Sequence, residues 1–142
     1  MLIAEILRAK GSNVATVGPD TTVAELLTEL AGHNIGAVVV TESGRVAGIA
    51  SERDVVRQMH ARGAGLLEAP VSEIMTAAVI TCAPSDTVDA LTVLMTENRV
   101  RHVPVLADGA LAGIVSIGDV VKSRMSQLEQ DRQQLENYIT QG

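Results

Sequence analysis

The sequence predicts a mixed α/β (α+β) fold of two β-α-β-β-α repeats, followed by a C-terminal helix. Three observations predict it: an internal duplication, strand-period and helix-period apolar runs alternating in each copy, and a small-aliphatic composition. A shift of 65 residues lays 14–59 over 79–124 without a gap, and 16 of the 46 aligned positions are identical. Val38/Val103, Val40/Val105, Gly44/Gly109 and Ala47-Gly48-Ile49 over Ala112-Gly113-Ile114 are among them. A copy of 46 residues is too short to hide a sheet alone, so the two sheets should pack together.

Each copy follows one plan. A short β-prone run (Val14–Val17; Val79–Cys82) leads into a proline turn, Gly18-Pro19-Asp20 or Ala83-Pro84-Ser85. Thr22 and Glu25 have capping-box spacing, and Val23, Leu26, Leu27 and Leu30 then form one apolar helical face. In the second copy that face is Val88, Leu91, Leu94 and Met95. Two apolar strands follow around Ser43-Gly44 or Asp108-Gly109, and a second helix begins at Ser51 or Ser116. The expected organisation is a first repeat with an N-terminal helix (1–62), a linker (63–72), a second repeat (73–125) and a helical tail (126–142). Val71–Met75 could add a short helical turn beside the linker. In the tail, Val121, Met125, Leu128, Leu135 and Ile139 keep a heptad-like stripe broken at Arg132. Such a stripe packs either on its own domain or on a second helix in a dimer.

Composition narrows the function. Hydrophobic residues make up 46% and charged residues 20%, and the mean hydropathy is +0.25, which excludes a disordered chain. There is no Trp or Phe, Tyr138 is the single aromatic, and 11 basic residues face 17 acidic ones. Neither a nucleic-acid platform nor a site for anionic membrane surfaces is expected from this. No apolar run reaches the ~20 residues of a membrane span, and residues 1–8 do not read as a signal peptide. One cysteine, Cys82, stands where the first copy has Val17, which suggests a small buried hydrophobe, and a cytoplasmic protein is expected. The scattered histidines, His33, His60 and His102, show no metal-ligand spacing, so no metal is expected.

The strongest local pattern is Gly-φ-x-Ser-x-x-Asp, at Gly48–Asp54 and Gly113–Asp119. Ser-x-x-Asp at a helix entry caps backbone N–H groups. The same geometry suits a ligand: the helix N-terminus attracts phosphate, and a carboxylate can hold a vicinal diol. The glycine would let a ligand approach the strand closely.

With these motifs, the duplication and Arg101-His102-Val103-Pro104-Val105, residues 1–125 resemble paired cystathionine-β-synthase (CBS) domains. The resemblance implies a pseudo-twofold module, a disc-like homodimer and adenosine ligands in clefts between the repeats. It also implies that Asp54 with Ser51, and Asp119 with Ser116, hold ribose, and that backbone near Thr16 and Thr81 meets the adenine edge. Without aromatics, the adenine walls would come from Ile35 and Val38, or Val100 and Val103, with Gly36, Ala37 and Pro104 beside them. The cations differ between the copies: Arg53 faces Gly118 in the alignment, Arg101-His102 faces Gly36-Ala37, and Lys122 matches Arg57. Inequivalent clefts are expected, with Arg53, Arg101 and His102 as leading phosphate partners and Lys122 beside them. AMP is the favoured ligand, with ADP, ATP, NAD or S-adenosylmethionine as alternatives. The expected function is regulatory and non-enzymatic, signalling a bound adenosine ligand to another protein. The alternatives are a ligand-free assembly module using the C-terminal helix and, less favoured, a small nucleotide hydrolase.

Overall fold

Duplicated caps and turns set the element boundaries in the computed structural model, which describes residues 1–141. The first half contains α1 (Ile3–Lys10), β1 (Thr16–Val17), α2 (Val23–His33), β2 (Ala37–Glu42), β3 (Arg45–Ser51) and α3 (Glu52–Arg62). Two 3-10 turns, Gly63–Glu68 and Val71–Glu73, lead to α4 (Val88–Asn98), β4 (His102–Ala107), β5 (Ala110–Ser116) and α5 (Ile117–Gln141). Thr22 and Glu25 exchange bonds with each other's backbone N–H, both at 3.2 Å, and Thr87 accepts the Ala90 N–H at 3.1 Å. The strand turns place Ser43-Gly44 and Asp108-Gly109 at positive φ, which matches a tight hairpin to the strand twist.

The two sheets are unequal. The first runs β1-β2-β3, with β1 parallel to β2 and β2 antiparallel to β3; the second is the antiparallel pair β4-β5. The β-run expected at Val79–Cys82 is reduced to one parallel bridge, Cys82 to Val105. Pro104 explains this. In the first copy the Val39 N–H donates to the Ala15 carbonyl at 3.3 Å, and the residue aligned with Val39 is Pro104, which has no N–H. Cys82 is buried as a free thiol, and burial together with the Asp86 charge pushes its pKa up to about 11.

Two aliphatic clusters fill the interior. Leu26, Leu30, Val38, Val40, Ala50 and Val55 form the first, and Leu91, Met95, Val103, Val105, Val115 and Val120 form the second. Each is completed by a segment from elsewhere in the chain. Val71 and Ile74, which precede the second copy, close the first cluster; Ile3 and Ile6, which precede the first copy, close the second. The backbone bonds of the two leaders correspond one to one. Val71 N–H donates to Thr21 and Ser72 to Pro19, just as Ile3 donates to Asp86 and Ala4 to Pro84. Leu2–Leu7 and Pro70–Met75 are therefore equivalent leaders, each covering the other copy's core. The linker is consequently packed, with Leu66 fully buried.

This exchange revises the reading of the motif glycines. A Cβ on Gly48 would lie 2.6 Å from Met75 Sδ and 2.9 Å from the Thr76 carbonyl oxygen, and one on Gly113 would lie 2.6 Å from Leu7 Cδ2. The close approach that only glycine allows is made by the chain's own leaders rather than by a ligand.

α5 leaves the body of the fold. Its 25 residues span about 37 Å, and Val120 is its one buried residue. Met125, Leu128, Leu135 and Ile139 are 60–73% exposed, so the stripe does not pack on its own domain. No described helix is long and apolar enough to cross a membrane.

Candidate functional site

Both motif ends fold as caps. Ser51 is extended backbone, its hydroxyl accepts the Asp54 N–H at 3.3 Å, and Asp54 Oδ2 accepts the Ser51 N–H at 2.9 Å and the Ser51 hydroxyl at 3.0 Å. Ser116 and Asp119 repeat the exchange at 2.9 and 3.2 Å. Among the described residues, every hydrogen bond of the Asp54 carboxylate uses Oδ2. Since each carboxylate oxygen has further lone pairs, capping leaves Asp54 acceptor capacity.

The two ends have different surroundings. Ser51, Arg53, Asp54 and Arg57 line a cleft of about 170 Å³ whose facing wall includes Arg99, Val100, Arg101 and His102 of the second copy. Gly36 and Ala37 join the first wall, and Thr76, Ala78, Val79 and Ile80 close the third side. Four arginines and two acidic residues, Glu52 and Asp54, thus line one cleft at the entrance of α3, whose dipole adds positive potential.

At the other end, Lys10 Nζ lies 2.6 Å from Asp119 Oδ2 and 2.9 Å from the Ile114 carbonyl oxygen. Burial works against ionisation of Asp119, but Lys10 and Ser116 bond to the carboxylate and hold its pKa below the usual range. Asp119 and Lys122 line a groove between α1 and α5.

His102 stands between the two ends. It pairs with Ser116 across β4-β5, and a Cβ added at Gly36 would lie 3.5 Å from its Cε1 and 3.3 Å from Glu52 Oε1. Burial lowers its pKa, together with the charges of Lys10 and Arg101 and against those of Glu52 and Asp119.

The structure gathers Gly36, Ala37, Ser51, Arg53, Asp54, Arg101 and His102 into one cleft. Ser116, Asp119 and Lys122 lie apart from it. Val38 and Val103 are fully buried in the two cores, Pro104 is buried in β4, and Ile35 packs against the first core. Thr16 and Thr81 are exposed at the proline-turn ends of the copies. Four groups carry roles the sequence reading did not give them: Lys10, Glu52, Arg99 and the 76–80 strip. Arg57 was readable as a wall residue, since it lies one helical turn beyond Asp54.

This geometry is a repeated helix-entry pair arranged about an inter-repeat cleft, and the CBS domain sequence profile matches residues 3–61 and 71–126. The chain belongs to the CBS domain family. This CBS pair is 35% identical over 149 residues to the mitochondrial CBS domain-containing protein CBSX3 of Arabidopsis thaliana, an alignment covering 99% of this chain and 72% of that one. It superposes on the CBS-domain containing protein ATU1752 of Agrobacterium tumefaciens with a TM-score of 0.85 at 48% identity, covering 87% of this chain and 99% of that one. The CBS pair of protein MJ0100, solved with 5'-methylthioadenosine and S-adenosyl-L-methionine, gives a TM-score of 0.79 at 25% identity, with coverages of 89% and 98%.

Proposed function

We propose that this CBS pair is a regulatory module that binds an adenosine-containing ligand in the cleft beside α3 and passes its bound state to a partner protein. The observation that carries the reading is the meeting, in one cleft, of the Ser51/Asp54 end with Arg53, Arg57, Arg99 and Arg101. In this arrangement Asp54 accepts from the ribose hydroxyls while the guanidinium groups and the α3 N-terminus take the phosphates. AMP is the first choice; ADP and ATP extend further along the same cations, and NAD and S-adenosylmethionine complete the candidate set. The adenosyl ligands of MJ0100 support the ligand class. A regulatory rather than catalytic role suits a site whose Ser51 and Asp54 are engaged with each other as a helix cap and whose other charged residues are mostly arginines. A cytoplasmic setting is part of the reading and suits a chain whose single cysteine is a buried free thiol.

Thermal denaturation against these five ligands tests it. A ligand at ~100 times its Kd adds about 2.7 kcal/mol to the native state, so the melting temperature should rise by several degrees. Asp54→Ala should abolish the rise without unfolding the protein. No rise with any of the five at millimolar concentration would refute the reading.

A second reading concerns assembly. The exposed Val121, Met125, Leu128, Leu135 and Ile139 favour a homodimer in which α5 pairs with its copy. Sedimentation of a Leu128→Glu, Leu135→Glu variant as a monomer, beside a dimeric parent, is the expected result.

A further inference from the structure

The Lys10–Asp119 pair has no counterpart in the first copy, although the leaders that bring the chain to both places are equivalent. After Glu73 the second leader unwinds, and Thr76 exchanges backbone bonds with Ile49, at 2.9 and 3.0 Å. After Glu5 the first leader continues as helix to Lys10, which carries a cation onto the Ile114 carbonyl, aligned with that of Ile49, and onto Asp119, aligned with Asp54. Among the described residues no ion pair involves Asp54.

We propose that Lys10 is a tethered counter-ion that keeps the second motif end closed, so that the chain takes one ligand beside α3 and holds a latent site at Asp119. This rests on the nucleotide reading above and adds the regulation of its second site. The closure is reversible by construction. Ile3 and Ile6 are buried and Leu7 packs on Gly113, so α1 stays seated when only the Lys10 side chain swings away. The Lys10 and Asp119 side chains are 32% and 22% exposed, so the pair is within reach of a competing group from solvent. A ligand at Asp119 must displace an ammonium, whereas one at Asp54 need not. The second site therefore fills at higher ligand concentration. His102, the strand partner of Ser116, has its ring beside Gly36 in the cleft and so lies between the two ends.

Titration calorimetry with AMP and ATP on the intact chain tests this. The parent should take up one equivalent, Lys10→Ala two, and Asp54→Ala none in the tight range. Asp54→Ala combined with Lys10→Ala should regain one equivalent, now at Asp119. If Lys10→Ala loosens α1, Lys10→Met, which keeps the aliphatic stem, should give the same two equivalents. A parent binding two equivalents alike, or Lys10 variants still binding one, would overturn the latch and leave the nucleotide reading standing. No uptake of either probe by parent or variants would overturn both. A carboxyl-detected NMR titration checks the pair independently: the Asp119 pKa should rise in Lys10→Met, and an unmoved value would remove Lys10 as its partner.

Discussion

The two copies use the same cap and reach opposite states. In the first, Ser51 and Asp54 open onto a cleft rich in arginine; in the second, Asp119 is paired with Lys10. The difference does not arise in the motif, whose Ser and Asp make the same main-chain bonds in both places. It arises just past the two leaders, where one segment unwinds and the other stays helical as far as Lys10. Sequence identity within a repeat therefore says that a site can form, and the neighbouring segment decides whether it is available.

The largest expected effect breaks the equivalence of the leaders themselves. Ile3→Ala should cost about 2–5 kcal/mol, because it empties a fully buried position that closes the second core. Val71→Ala, at the equivalent place over the first core, removes less volume and should cost less. Urea denaturation of the two variants measures the pair, and equal losses would count against treating Ile3 as a full core residue.

The motif glycines give a smaller contrast. Gly48→Ala sets a methyl against a backbone carbonyl as well as Met75 Sδ and should cost about 1–3 kcal/mol, whereas the atoms nearest a methyl at Gly113 all belong to the Leu7 side chain, whose end can turn aside. The second variant should therefore melt closer to the parent.

Acid sharpens the comparison with the least effect, and both groups concerned belong to the second copy. His102 has a folded pKa below its free value, so the unfolded chain binds a proton first and stability falls as the pH drops below about 6.5. Asp119 also has a depressed folded pKa; its contribution is complete above about 4 and is lost as the pH falls through the folded value. Melting temperature against pH should show both declines. His102→Gln should flatten the first and Lys10→Met the second; if neither variant changes the profile, these groups do not govern it.

Much of the fold was readable because it is repeated. Thr22 and Thr87, Ser51 and Ser116, and the Ser43-Gly44 and Asp108-Gly109 turns act locally, so residue type and spacing suffice to place them. The family and the cleft's Ser51, Asp54 and Arg101 were readable for the same reason. The exchange of leaders was not. Leu2–Leu7 and Pro70–Met75 share only Glu5/Glu73 and Ile6/Ile74, and they align at a shift of 68 rather than 65. Lys10 was hidden further, since its partner lies 109 residues away. The fully buried Val38 and Val103 show the converse: a continuous apolar run tells which residues are inside, not whether that inside is core or cleft wall.

The crossed leaders also impose an order on synthesis. A chain emerging from the ribosome can complete the buried part of its first core as soon as Ile74 is out, since Leu66, Ala69, Val71 and Ile74 are the buried residues that core still lacks. Ile3 and Ile6, made before either copy, have no surface to cover until Leu91, Val103 and Val115 have appeared. Until then α1 is an uncovered apolar face, and a segment made ahead of both copies waits for the second to find its place.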